Sequence, residues 1–191
     1  MKTILTIFAS LSLLILYSFL PPSQEKNDDT IIWSKDRPLT WDDFKMKAPQ
    51  SSQGAAWIYY NLSLNLQSEG NTVNINTATF MIPKKSWVKN GSKSEELLKH
   101  EQGHFDIAEI HARKLRKSIQ EGTFTHKNIQ EKINKIYSQT FSKLEAQQKL
   151  YDKETDHHRN KEKQIEWNER IARELKELAT YSNPIIEITL K

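Results

Sequence analysis

His100-Glu101-Gln102-Gly103-His104 follows the H-E-x-x-H pattern. On a helix, positions i and i+4 share a face one turn apart. Two imidazoles so placed can reach one Zn²⁺ at about 2.0–2.1 Å each. Glu101 stands one residue along, too tangential to ligate the same ion, and suits a general base taking a proton from water. The competing reading makes both histidines partners of buried carbonyls. His104 borders the apolar stripe of Phe105, Ala108 and Ala112, as such a residue would. This five-residue pattern inside a periodic helix favours the metal.

A catalytic zinc needs a third protein ligand and one open position. His111 lies seven residues beyond His104, about 10 Å along an unbroken helix, and is expected on the surface or behind a ligand. His126 opens a second helix from a Thr-rich loop and is expected to be exposed. Tyr151-Asp152-Lys153-Glu154-Thr155-Asp156-His157-His158 is the better source. It carries two histidines and three acids with no apolar stripe. Spacing alone leaves Glu154, Asp156, His157 and His158 open as the third ligand.

The site needs a frame, and the apolar pattern supplies one. Ile31-Ile32-Trp33 reads as a short strand, and Pro38 to Phe44 as a turn into a brief helix capped by Thr40. Ile58, Tyr60, Leu62, Leu64 and Leu66 alternate with polar residues, as do Val73, Ile75, Thr77, Thr79 and Met81. Joined through Gly70-Asn71, they predict a β-hairpin with a longer loop. From Ser94, apolar residues recur at three and four through Leu97, Phe105, Ala108, Ala112, Leu115 and Ile119, ending near Gly122. A second helix from about Thr125 carries Ile129, Ile133, Ile136, Tyr137, Thr140, Phe141 and Leu144. The charged stretch from Asp152 to Lys163 interrupts the pattern. A third helix then carries Ile165, Trp167, Ile171, Leu175 and Leu178, and residues 184–190 form a last short strand. Strands first and helices after predict an α+β fold, with Trp33, Trp41, Trp57 and Trp87 packing core and sheet.

Composition narrows the function classes. With 28 basic and 24 acidic side chains interleaved, the net charge of +4 forms no basic block, which excludes nucleic-acid partners. The chain has no Cys, so it has no disulfides, thiolate nucleophile, Cys-based zinc site or lipid-modified Cys. Lys2 followed by the uncharged, apolar residues 3–20 is the pattern of an export signal. The protein is expected to be exported: periplasmic, secreted, or anchored in the membrane through residues 3–20 if they are not cleaved. Residues 21–30 read as a polar, Pro-led tether, and residues 31–191 as one domain.

Leu98 to Glu109, with its His-Glu-Gln-Gly-His centre, is followed by Tyr151-Asp152-x-x-Thr155-x-His157 and Gln164-x-x-Trp167-Asn168. Together with Pro38 to Phe44 and Ser86-Trp87-Val88, these segments resemble a bacterial family of unknown function catalogued as predicted secreted zinc-dependent proteases. The resemblance spans roughly residues 31–170 and implies a zincin-like fold. Its second motif, Tyr-Asp-x-x-Thr-x-His-Gly, implies His157 as third zinc ligand beside His100 and His104. The chain departs from it with His158 in place of Gly, making His158 a rival ligand or a hydrogen-bond donor near the metal. Tyr151 and His158 are candidates for stabilising an oxyanion, although Tyr151 equally suits the core. Asp106 could orient a ligand imidazole, although its position favours water. The expectation is a zinc metallopeptidase acting on protein or peptide, with Glu101 as general base. The rival is a non-catalytic envelope-associated binding or structural module with an empty or structural metal site.

Overall fold

The computed structural model describes residues 30–191. The expected signal or anchor (residues 1–20) lies outside these residues, as does the tether up to residue 29. Among the described residues no helix is long and apolar enough to cross a membrane.

The fold is α+β, with a small antiparallel sheet and three long helices. In chain order the elements are β1 (Ile31–Ile32), β2 (Ala56–Trp57), β3 (Tyr60–Glu69), β4 (Thr72–Met81), β5 (Trp87–Val88), α1 (Glu95–Gln120), α2 (Ile129–Thr155), α3 (Lys161–Glu177) and β6 (Ile185–Thr189). β3 and β4 form the expected hairpin. Their pairing runs from Tyr60↔Met81 to Glu69↔Thr72, so the loop is the two residues Gly70-Asn71 rather than a longer one. Gly70 has φ 57°, the left-handed geometry that tight hairpin turns demand. β1 and β6 both pair antiparallel with the other edge of β4, and β2 pairs with β5 as a separate ribbon.

Helix α1 starts where Ser94 accepts a hydrogen bond from the Leu97 amide, with Glu95 and Glu96 in its first turn. The cap and the acidic turn both complement the helix dipole. One side of α1 lays Ala112, Leu115 and Ile119 on Val73, Ile75, Ile186 and Ile188 of the sheet. The other side packs Ile107 and Ile110 against Leu144, Tyr151, Trp167 and Ile171 of α2 and α3. A helix enclosed in this way can bury polar groups and hold them still.

Three expectations change. Helix α2 begins at Ile129 and runs on to Thr155, so the charged stretch breaks the helix only at residues 156–160. Ile165 is 59% exposed and belongs to no core stripe. Trp57 is 55% exposed and borders a cleft instead of packing the core.

His111 is buried, not on the surface, and its Nε2 lies 2.8 Å from Gln147 Oε1. Burial pushes its pKa down to about 4. The unfolded chain takes up this proton below about 6.5, whereas the fold resists it until about 4. The stability this contributes is complete above pH 6.5 and lost as pH falls to 4, about 3 kcal/mol by linkage. His111→Gln should flatten the Tm–pH curve across that window; an unchanged curve would refute the assignment. His126 is exposed, as expected, and meets Asn71.

Candidate metal centre

Helices α1 and α2 run antiparallel, which sets one i,i+4 pair against another. His100 and His104 on α1 face Asp152 and Gln148 on α2. His100 Nε2 and His104 Nε2 lie 3.2 Å apart, and Asp152 Oδ1 is 3.2 Å from the first and 3.0 Å from the second. A tetrahedral ion with bonds of about 2.0–2.1 Å would hold its ligand atoms about 3.3 Å apart, so this triangle has the right size.

The glutamines decide which nitrogens are bare. Gln148 Nε2 donates to the His104 carbonyl (2.8 Å), and its Oε1 lies 2.5 Å from His104 Nδ1. Gln164 Nε2 donates to the Tyr151 hydroxyl (2.7 Å) and Asn168 Oδ1 (2.9 Å), and its Oε1 lies 3.0 Å from His100 Nδ1. Each amide therefore has only its oxygen left for the imidazole, so each Nδ1 carries the proton. Both Nε2 lone pairs then face one another and a carboxylate oxygen. Such a set of acceptors could hold a cation at its centre.

The imidazoles also have a fixed floor. The Tyr151 ring stacks on His100 at 4.6 Å, and its hydroxyl donates to the His100 carbonyl. A Cβ on Gly103 would run into that hydroxyl, which accounts for glycine in the motif. Tyr151 is fully buried and serves as this floor, which removes it as an oxyanion stabiliser. Asp106 does not face water and touches neither imidazole. It is half-buried and accepts hydrogen bonds from Trp33 Nε1 and Gln102 Nε2, both at 2.7 Å. The carboxylate on the histidines is Asp152 instead. Burial works to raise its pKa, but His100 and His104, when a proton sits on their Nε2 atoms, outweigh it and hold the carboxyl well below its usual range.

His157 joins the cluster, its Nδ1 at 3.3 Å from Asp152 Oδ1. The ligand atoms of His100, Asp152 and His157 all lie within 4.8 Å of one another. It arrives there through a turn in which Asp156, His157 and His158 have φ of 47°, 51° and 78°. Three successive side-chain-bearing residues in this region cost roughly 1 kcal/mol or more each. The φ of His158 is one that glycine favours, which accounts physically for Gly in the motif the chain resembles. The His158 ring lies 6.1 Å from that of His100, and its buried Nδ1 has no partner among the described residues. His158 is outside the ligand cluster, as are Glu154, which accepts from Trp167, and Asp156, which pairs with Arg159.

Glu101 is buried beside the cluster. Burial and the nearby Asp152 raise its pKa to about 7, against the pull of His104 and the Ile58 amide. It faces a cleft of about 1050 Å³ walled by residues 52–61 on one side and by α1 and α2 on the other. Tyr60 also lines this cleft; burial, then the charges of Glu145 and Asp152, push its hydroxyl well above the usual tyrosine range.

Sequence reasoning passed over Asp152, Gln148, Gln164 and Tyr60. One signal was available: Thr140, Leu144, Gln148, Tyr151 and Thr155 continue a single buried helical stripe. A Gln within such a stripe has to meet a polar partner on the facing helix.

The fold and site define an α+β protein whose central helix presents two imidazoles to a carboxylate at a candidate metal centre. The chain belongs to a family of bacterial proteins of unknown function, DUF922, which it matches over residues 44–159. The match runs from the strands through α1 and α2 to the turn that carries His157. No curated protein and no solved structure matches the chain.

Proposed function

We propose that the protein is an exported, zincin-like zinc metallopeptidase acting on extended polypeptide. The observation that carries this reading is the convergence of two bare imidazole nitrogens and a carboxylate oxygen beside a buried glutamate that does not ligate. His100, His104 and Asp152 would hold the ion, a nitrogen and oxygen donor set suited to zinc. Zinc there would supply a Lewis acid and bring the pKa of a water to about 7. Glu101 takes the proton of the attacking water and passes it to the leaving amine. A purely structural ion has no use for that carboxylate.

The cleft wall supports polypeptide as the substrate. The carbonyls of Ala55 and Tyr59 accept from the amides of Lys89 and Ile82. Strand alternation then turns the backbone groups of Ala56, Ile58 and Tyr60 the other way, toward the side of Glu101. An extended chain could add to that edge as a further strand. The Tyr60 hydroxyl, kept protonated, would donate to the carbonyl oxygen as charge develops. Tyr60→Phe should lower kcat about 10²-fold with little change in KM, as loss of one such donor does. Equal losses in kcat and in zinc content would make Tyr60 structural instead.

The direct test is metal content of the full-length protein, with His104→Ala and Asp152→Ala beside it. About one zinc per chain, lost in both variants, is the expected result. A full-length protein that takes up no zinc after reconstitution would defeat the proposal and favour a binding module.

A further inference from the structure

We infer that His157 is a displaceable fourth ligand, which closes the centre at rest and uncovers it when the 156–158 turn swings away. This rests on the metal reading above. A zinc with three protein ligands keeps a position for substrate, and a fourth ligand closes it. The triangle of His100, His104 and Asp152 already supplies three donor atoms at 3.0–3.2 Å from one another. His157 brings a fourth to the same Asp152 oxygen, at 3.3 Å.

The four donors are not held alike. The side chains of His100 and His104 are 3% and 10% exposed, and each is anchored through Nδ1 by a buried glutamine. His157 is 66% exposed, and among the described residues its Nε2 has no anchor. It stands in the middle of three successive left-handed residues, so its departure relaxes strained backbone, whereas loss of His100 or His104 breaks a buried network. His157 also lines the cleft. An entering peptide carbonyl is the group whose arrival would take its place.

The test loads the full-length protein, His157→Ala and Asp152→Ala with zinc, then with cobalt, and follows binding of acetohydroxamate through the visible cobalt band. His157→Ala should keep one zinc per chain. It should bind acetohydroxamate at least about tenfold more tightly than the unaltered protein, because it no longer spends most of its time closed. Asp152→Ala should lose the metal. Equal hydroxamate affinity in His157→Ala and the unaltered protein would overturn the inference while leaving the metal reading intact. So would a His157→Ala protein that loses zinc as fully as Asp152→Ala, since His157 would then be a permanent ligand. Failure of the unaltered protein to bind either metal would defeat the metal reading, and this inference with it.

Discussion

Glu101→Gln should lower turnover by about 10²–10⁴-fold while the protein keeps its zinc and its fold. The substitution is nearly isosteric and retains an oxygen that can accept from the Ile58 amide. It removes only the ability to take and return a proton. The appropriate measurement pairs kcat on the best-cleaved member of a peptide mixture with zinc content determined on the same sample. A variant that retains zinc and full activity would eliminate Glu101 as the base. A variant that loses zinc would place Glu101 among the ligands, against the geometry, in which His100, His104 and Asp152 meet one another without it.

The second large effect concerns stability and lies one turn beyond the motif. Glu109 is buried, and its Oε1 accepts from Arg113 Nε at 2.9 Å and from Arg116 Nη2 at 2.6 Å. Arg116 is 1% exposed and also donates to the carbonyls of Tyr181 and Thr77. This cluster ties α1 to β4 and to the chain leading into β6. Glu109→Ala leaves two buried guanidinium groups without their counter-charge, an error that costs about 3–5 kcal/mol. For a chain of this size the melting temperature should fall by roughly 10 °C or more. Glu109→Gln, which keeps an acceptor oxygen, should fall by less. A loss within two degrees for Glu109→Ala would show that the arginines find other partners.

Much of the frame was legible because it follows simple periods. The alternation from Ile58 to Leu66 and from Val73 to Met81 became β3 and β4, and the stripe from Leu97 to Ile119 became α1 with Ser94 as its cap. The spacing of His100 and His104 placed both rings on one side of that helix. Asp152 escaped because it sits in the last turn of α2, where the following charges suggested that the helix had already ended. Asp106 was expected to face water, and His111 to lie at the surface or behind a ligand, because an amphipathic helix normally has a wet side. Helix α1 has little of one, since α2 and α3 cover what the sheet leaves bare. Trp57 was assigned to packing, yet β2 lies in a two-stranded ribbon that holds it at the rim of the cleft. The gap in each case was tertiary: which element covers which is not a local property.

The place of β6 has a consequence in time. It completes the sheet by pairing Thr189 with Thr72 and Ile186 with Ile75, partners more than a hundred residues apart. Ile186 and Ile188 belong to the same core as Ala112, Leu115 and Ile119, so α1 lacks part of its seat until they arrive. Pairing over such a span is slow, because the intervening chain must be brought together before any contact rewards it. A chain still emerging from the ribosome cannot finish this core. Completion of the core between the sheet and α1 is thereby postponed until β6 has been synthesised.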